Sequence, residues 1–172
     1  LPVPEISDLL ELEPESNVSA AAIAQPEAAS TSPVLAPMQQ WFLAQHPLEP
    51  QHWNISLLVE IGDQLDRPTL EQALQAVMAQ HEALRWRFTK TAVGWQFSET
   101  LGAVLEKDYL PFEYVDFSAK WARSQRRAIE ETADKLQTSL NLSEGPLWRV
   151  AYFDLGLNRA HRLLIIFHHL IG

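Results

Sequence analysis

The stretch RLLIIFHHLIG, residues 162–172, sets five large apolar residues ahead of two adjacent histidines. A run this short, rich in β-branched and aromatic residues, reads as a strand covered on both faces, near the centre of a sheet. Side chains alternate along a strand, so His168 and His169 point to opposite faces and take different roles. They lie at the C-terminal end of that strand, where α/β sheets open into ligand crevices. Two readings follow. One imidazole is a general base, since it titrates near neutral pH; alternatively, both are hydrogen-bonded histidines that finish a strand.

Working backwards, PLWRVAYFDLG (146–156) pairs with this strand across a turn at Leu157 to Ala160. Residues 118–140 read as a long helix capped by Ser118, with Trp121, Ile129, Ala133, Leu136 and Leu140 facing inward. RWRFTKTAVGWQFSE (85–99) reads as strands 85–90 and 95–99 joined around Gly94. Before it, residues 66–84 carry the most regular helical pattern, with Asp66 as N-cap, Pro68 in the first turn, and Leu70, Leu74, Val77, Met78 and Leu84 inward. WNISLLVEI (53–61) is a further strand, and APMQQWFLAQ (36–45) a short helix with Met38, Trp41 and Phe42 on one face. The order is helix, strand, long helix, hairpin, long helix and strand pair: an α/β protein of the α+β two-layer kind with a mixed sheet.

Composition bounds the function. With 172 residues, 47% of them hydrophobic, the chain can bury one good core. It begins with Leu1, which suggests a piece of a longer polypeptide. It has no cysteine, so disulfides, thiolate metal sites and cysteine nucleophiles are excluded. No apolar run approaches the ~20 residues of a membrane helix, so no membrane partner is expected, and a soluble cytoplasmic protein is the default. The net charge is −9, and residues 1–33 hold six acids (Glu5, Asp8, Glu11, Glu13, Glu15, Glu27) and no Lys or Arg. Neither part has the basic stripe that neutralises phosphates, so no nucleic acid is expected. Residues 14–33 are rich in Ala, Ser, Pro and Glu and read as an acidic linker. In residues 1–13, Ile6, Leu9 and Leu10 follow Pro4 at helical spacing.

Other candidates have plainer readings. No metal site is expected: adjacent strand histidines diverge, and Asp154 and Glu144 have no ligand spacing to them. His161 reads as a surface residue across a turn; His46, His52 and His81 read as loop or helix-end groups. The six tryptophans lie on separate elements and read as packing. Arg126 and Arg127 pair with Glu130 and Glu131 on a solvated helix face. Arg85 and Arg149 sit among apolar neighbours and need an anionic partner if buried.

APMQQWF (36–42), HEALRWRF (81–88), NLSEGPLWRVAYFDLG (141–156) and LLIIFHHLI (163–171) stand in the order seen in the condensation superfamily of nonribosomal peptide synthetases, which residues 35–171 therefore resemble. PMQQWF is similar to the opening of the epimerization branch, and YFDLG before RLLIIFHHLI also resembles that branch. The resemblance implies the N-terminal lobe of a chloramphenicol-acetyltransferase-like, V-shaped fold over residues 34–172, truncated before the second lobe. It implies that residues 1–13 are the tail of an upstream carrier domain. No cofactor is bound directly; the substrate is an aminoacyl or peptidyl thioester on the phosphopantetheine of the carrier partner. Epimerization interconverts the L and D forms at Cα, whereas in a condensation domain the same site forms an amide bond; a non-catalytic docking module or truncated remnant is the third reading, and residues 1–172 alone are expected to be inactive.

By motif position His169, the second histidine of HHxxxDG, is the catalytic candidate, and His168 supports it. Gly172 holds the third variable position, and the motif's Asp and Gly are not in this sequence. By the resemblance that Asp is structural and Arg85 is its partner, so a poorly held turn and an arginine without its anion are expected.

Overall fold

The computed structural model describes residues 34–45, 48–99 and 110–172. The chain divides at Ser32/Pro33, and every described residue lies in the second unit. The expectations for residues 1–33 and for His46 fall outside the described residues.

Among the described residues three helices and six strands follow one another: α1 (Pro37–Ala44), β1 (Asn54–Ile61), α2 (Arg67–Gln80), β2 (Trp86–Thr91), β3 (Gly94–Glu99), β4 (Phe112–Asp116), α3 (Ala122–Thr138), β5 (Trp148–Asp154) and β6 (His161–His168), with single 3₁₀ turns at Pro50–His52 and Glu82–Arg85. The main sheet has the order β1-β6-β5-β4, and β2 and β3 form a separate two-stranded sheet. β6 is antiparallel to both neighbours, with Asn54 opposite His168 on one side and Trp148 opposite Phe167 on the other. β4 and β5 run parallel, joined through α3, and make the sheet mixed.

The apolar run of β6 explains its central place. Leu164 and Ile166 enter the core with Ala151, Phe153 and Leu136 on the α3 side. Leu163, Ile165 and Phe167 pack around Met78, Trp148 and Val150 on the α2 side. Leu164 and Ile166, fully buried, contribute about 1.5–3 kcal/mol each, and the half-buried Leu163, Ile165 and Phe167 contribute less. A third cluster gathers Phe42 and Leu43 of α1, Phe88 of β2, Leu142, Leu147 and Leu170. It ties α1 and the hairpin to the segment just past β6.

The expected α2 is present, with Asp66 Oδ2 accepting from the Thr69 N–H at 3.1 Å, but it ends at Gln80, leaves Leu84 to the 3₁₀ turn and turns Val77 outward (46% exposed). Two further expectations are corrected. In α1, Met38 and Trp41 are exposed (71% and 55%), and Gln39, Phe42 and Leu43 are buried instead. α3 starts later than expected: its N-cap is Trp121, 81% exposed, and the Ser118 N–H donates to Asp116 Oδ1 at 2.8 Å. Gln125 takes the inward place, its amide donating to the carbonyls of Phe117 (2.9 Å) and Leu155 (3.0 Å). A polar side chain that satisfies two loop carbonyls outweighs an indole that would leave them unpaired. β4, absent from the sequence reading, is a five-residue edge strand without clear alternation, held to β5 in part by Tyr114 Oη donating to Asp154 Oδ2 at 3.0 Å.

Candidate active site

His168 is the last residue of β6 and has no exposed surface. Its Nδ1 accepts the Leu170 N–H at 3.1 Å and its Nε2 lies 2.6 Å from the Pro50 carbonyl oxygen. A nitrogen that accepts a backbone N–H carries no proton, so the ring is the neutral Nε2–H tautomer, donating to Pro50. Burial pushes its pKa below the usual histidine value; the neighbouring His169 adds to that shift, and the Pro50 contact opposes it. Both nitrogens are committed and the ring is shielded, so His168 is a structural imidazole.

His169 differs in each respect. It is exposed, and its backbone N–H donates to the Trp53 carbonyl at 2.9 Å, carrying the β1–β6 pairing one residue past the strands. Its ring meets the Trp53 indole edge-on, centroids 6.2 Å apart at 66°. An accessible imidazole with a free ring nitrogen can exchange a proton with a substrate carbon or amine, which His168 cannot.

The turn that follows is well supplied with bonds. The Ile171 N–H donates to the His168 carbonyl at 3.0 Å, and the buried Gln39 amide donates to the Leu170 carbonyl at 2.8 Å. Gln39 Oε1 in turn accepts the Ala36 N–H at 2.9 Å, so one side chain caps α1 and anchors the histidine turn. This differs from the expectation of a poorly held turn, because α1 and the His168 ring supply what the motif Asp was expected to supply. Sequence reasoning missed Gln39; its signal was the i, i+3 spacing to Phe42.

Arg85 lies in the 3₁₀ turn before β2 and is not left without an anion. Its guanidinium grips Glu99 Oε1, with Nε at 2.8 Å, and also donates to the carbonyls of Met78 (2.5 Å) and Ala79 (2.9 Å). It thus ends α2 and fastens the β2–β3 hairpin. Arg87, two residues on, is the more deeply buried arginine, 4% exposed. Its guanidinium donates to the carbonyls of Glu144 (2.9 Å) and Trp86 (2.7 Å), and burial lowers its pKa. Gly145 leaves room for it: φ is +73°, and a Cβ there would overlap the guanidinium. Arg149 Nε donates to Ser139 Oγ at 2.9 Å.

His161 is a correction. It is 5% exposed rather than superficial, stacked on Tyr152, with Nδ1 3.3 Å from both the Leu155 N–H nitrogen and Asp154 Oδ1. It lines a cleft with Gly62, Ser118, Asp154 and Arg159. That cleft is at the opposite end of β6, about 23 Å along the strand from His168. Trp41, Trp53 and Trp121 are also more exposed than a packing role predicts. The pairs Arg126–Glu130 (3.0 Å) and Arg127–Glu131 (2.7 Å) form as expected.

Residues 30–172 match the condensation domain family. This chain belongs to that family. It is 40% identical over 136 residues to a linear gramicidin synthase of Brevibacillus parabrevis, covering 79% of this chain and 3% of that protein. It is 36% identical over 137 residues to chondramide synthase cmdD of Chondromyces crocatus, covering 80% and 3%. Among solved structures it resembles the epimerization domain from the third module of tyrocidine synthetase B (TM-score 0.65, 30% identity, 79% of this chain and 29% of that one). The starter condensation domain of rhizomide synthetase RzmA has the same fold (TM-score 0.63, 22% identity, 80% and 32%). The chain is thus a condensation-type domain of the nonribosomal peptide synthetase superfamily, spanning under a third of the solved domains it matches and a few per cent of the synthetases. Among its described residues, no helix is long and apolar enough to cross a membrane.

Proposed function

We propose that this chain is the N-terminal lobe of an epimerization domain, with residues 1–13 the end of an upstream carrier domain and 14–33 the linker between them. The substrate is an L-aminoacyl or peptidyl thioester on the carrier's phosphopantetheine. The accessible His169 imidazole exchanges a proton with Cα. As the C–H bond breaks, its electron pair moves into the thioester carbonyl to give an enolate, and a proton returned to the opposite face gives the D form. By the family resemblance, the group on the other face is a glutamate of the second lobe. His168 stays neutral and holds the turn that presents His169.

The observation that carries this reading is the division of labour at the end of β6, one imidazole locked and buried and the next accessible. PMQQWF, YFDLG and the 30% identity to an epimerization domain favour this branch. The second reading is amide formation, with His169 acting on the attacking amine; the comparable fold similarity to a starter condensation domain favours it.

The test uses the complete domain in its synthetase, loaded with an L-aminoacyl thioester in deuterated water. Cα deuteration and D product are expected, both lost in His169→Ala with folding intact. Amide formation without Cα exchange supports the condensation reading, and full exchange in His169→Ala removes His169 from the mechanism.

A further inference from the structure

Trp53 is the residue that His169 touches. It stands between the Pro50–His52 turn and β1, is 48% exposed, and meets His169 twice. Its carbonyl accepts the His169 N–H at 2.9 Å, and its indole lies edge-on to the imidazole at 6.2 Å. The indole is itself backed by Phe42 of α1, centroids 5.0 Å apart at 68°, and Phe42 meets the buried His168 ring at 5.8 Å and 76°. Four rings thus run from the locked histidine to the accessible one: His168, Phe42, Trp53, His169. Edge-to-face contacts of this kind contribute about 0.5–1.5 kcal/mol each beyond burial, enough to bias a side-chain rotamer by several fold. Among the described residues no other aromatic ring meets the His169 imidazole, and a half-exposed indole has apolar surface to spare.

We infer that Trp53 is a positioning residue for His169: its indole selects the imidazole rotamer that faces the substrate and walls one side of the space in which Cα meets the ring. The proposal rests on His169 being the proton-transfer group. Proton transfer requires a heavy-atom approach of about 3 Å, and a misplacement of about 1 Å costs on the order of 100-fold in rate. Loss of the indole therefore acts on turnover more than on substrate binding.

The experiment compares Trp53→Ala, Trp53→Phe and His169→Ala in the complete domain within its synthetase, measuring Cα exchange or, if the second reading holds, amide formation. In Trp53→Ala, kcat is expected to fall about 10- to 100-fold with KM within about twofold, and Trp53→Phe, which keeps an aromatic wall and the backbone bond, to recover most of the loss. On this chain, the His169 ring protons are expected at ring-current-shifted positions in the NMR spectrum and to move toward random-coil values in Trp53→Ala while those of His168 stay in place. Wild-type kcat in Trp53→Ala, with His169→Ala inactive, overturns the inference and leaves the functional reading standing. An active His169→Ala overturns the functional reading instead. If Trp53→Ala does not fold, the inference rests on Trp53→Leu, where loss of turnover with native His168 shifts supports it and undiminished turnover refutes it.

Discussion

Gln39 joins the first helix to the histidine turn, and its removal has a calculable cost. Gln39→Met preserves length, helix propensity and packing volume while deleting both hydrogen bonds. The Ala36 N–H lies in exposed backbone and finds water, so its loss costs about 0.5–1 kcal/mol, as for a helix cap in a forgiving site. The Leu170 carbonyl belongs to a residue 4% exposed and loses its donor in a buried setting, a penalty of about 1–3 kcal/mol. The sum is about 1.5–4 kcal/mol, a large share of the 5–15 kcal/mol that holds a domain together. In urea, with a slope of about 2 kcal/mol per molar, the midpoint drops by about 0.8–2 M at unchanged slope. The six tryptophans report the transition by fluorescence. Gln39→Glu adds a sharper arm. It keeps the acceptor for Ala36 but sets a carboxylate against the Leu170 carbonyl, which raises the carboxyl pKa above its unfolded value. Relative to wild type it is expected to be worse than Gln39→Met at pH 7 and to recover as pH falls through the raised value, where the protonated acid donates to Leu170. A midpoint shift equivalent to less than about 0.5 kcal/mol in Gln39→Met, within the range of neutral surface changes, refutes the anchoring role. So does a Gln39→Glu penalty that ignores pH.

Two further outcomes follow from the same region. Because His168 is held neutral with its pKa below the unfolded value of about 6.5, its contribution to stability is complete above pH 6.5 and is lost as pH falls from there toward the folded pKa, at no more than about 1.4 kcal/mol per pH unit. Urea titrations between pH 5 and 7 are expected to lose that slope in His168→Gln, and an unchanged slope refutes the assignment. Gly145→Ala is expected to destabilise by more than about 2 kcal/mol, combining a left-handed φ with overlap on the Arg87 guanidinium; Gly62→Ala, with open space around its Cβ, is expected to stay within about 0.5 kcal/mol. Equal melting temperatures for the two variants contradict the Arg87 packing.

What could be read in advance was whatever depends on periodicity. The uninterrupted LLIIF is the signature of a strand with two covered faces, and β6 has them, one under α3 and one under α2. Asp66 capped its helix as written, because a cap needs only its own first turn. What escaped were features set by distant partners. Met38 and Trp41 fit the apolar stripe of α1 as well as Phe42 does. The helix was rotated by a glutamine whose hydrogen-bond partner lies 131 residues away. Arg85 was assigned an aspartate by motif position and found Glu99 on the adjoining hairpin. β4 became a strand through its parallel pairing with β5; Phe112, Tyr114 and Val115 are strand formers, but five residues without strict alternation are a short signal.

The histidine pair joins both kinds of legibility. Alternation requires that His168 and His169 face different ways, but symmetry alone leaves open which one works. The choice is made by chain geometry two residues on: the backbone turns at His168, which brings the Leu170 N–H onto its Nδ1 and leaves Nε2 for Pro50. An imidazole with both nitrogens bonded and no solvent contact has no lone pair to offer, whatever its pKa. The catalytic candidacy of His169 therefore rests on the removal of its neighbour as much as on its own exposure. Leu170→Pro, which removes the N–H that His168 Nδ1 accepts, and Gln39→Met, which removes the donor to the Leu170 carbonyl, both act on the presentation of His169 without touching it.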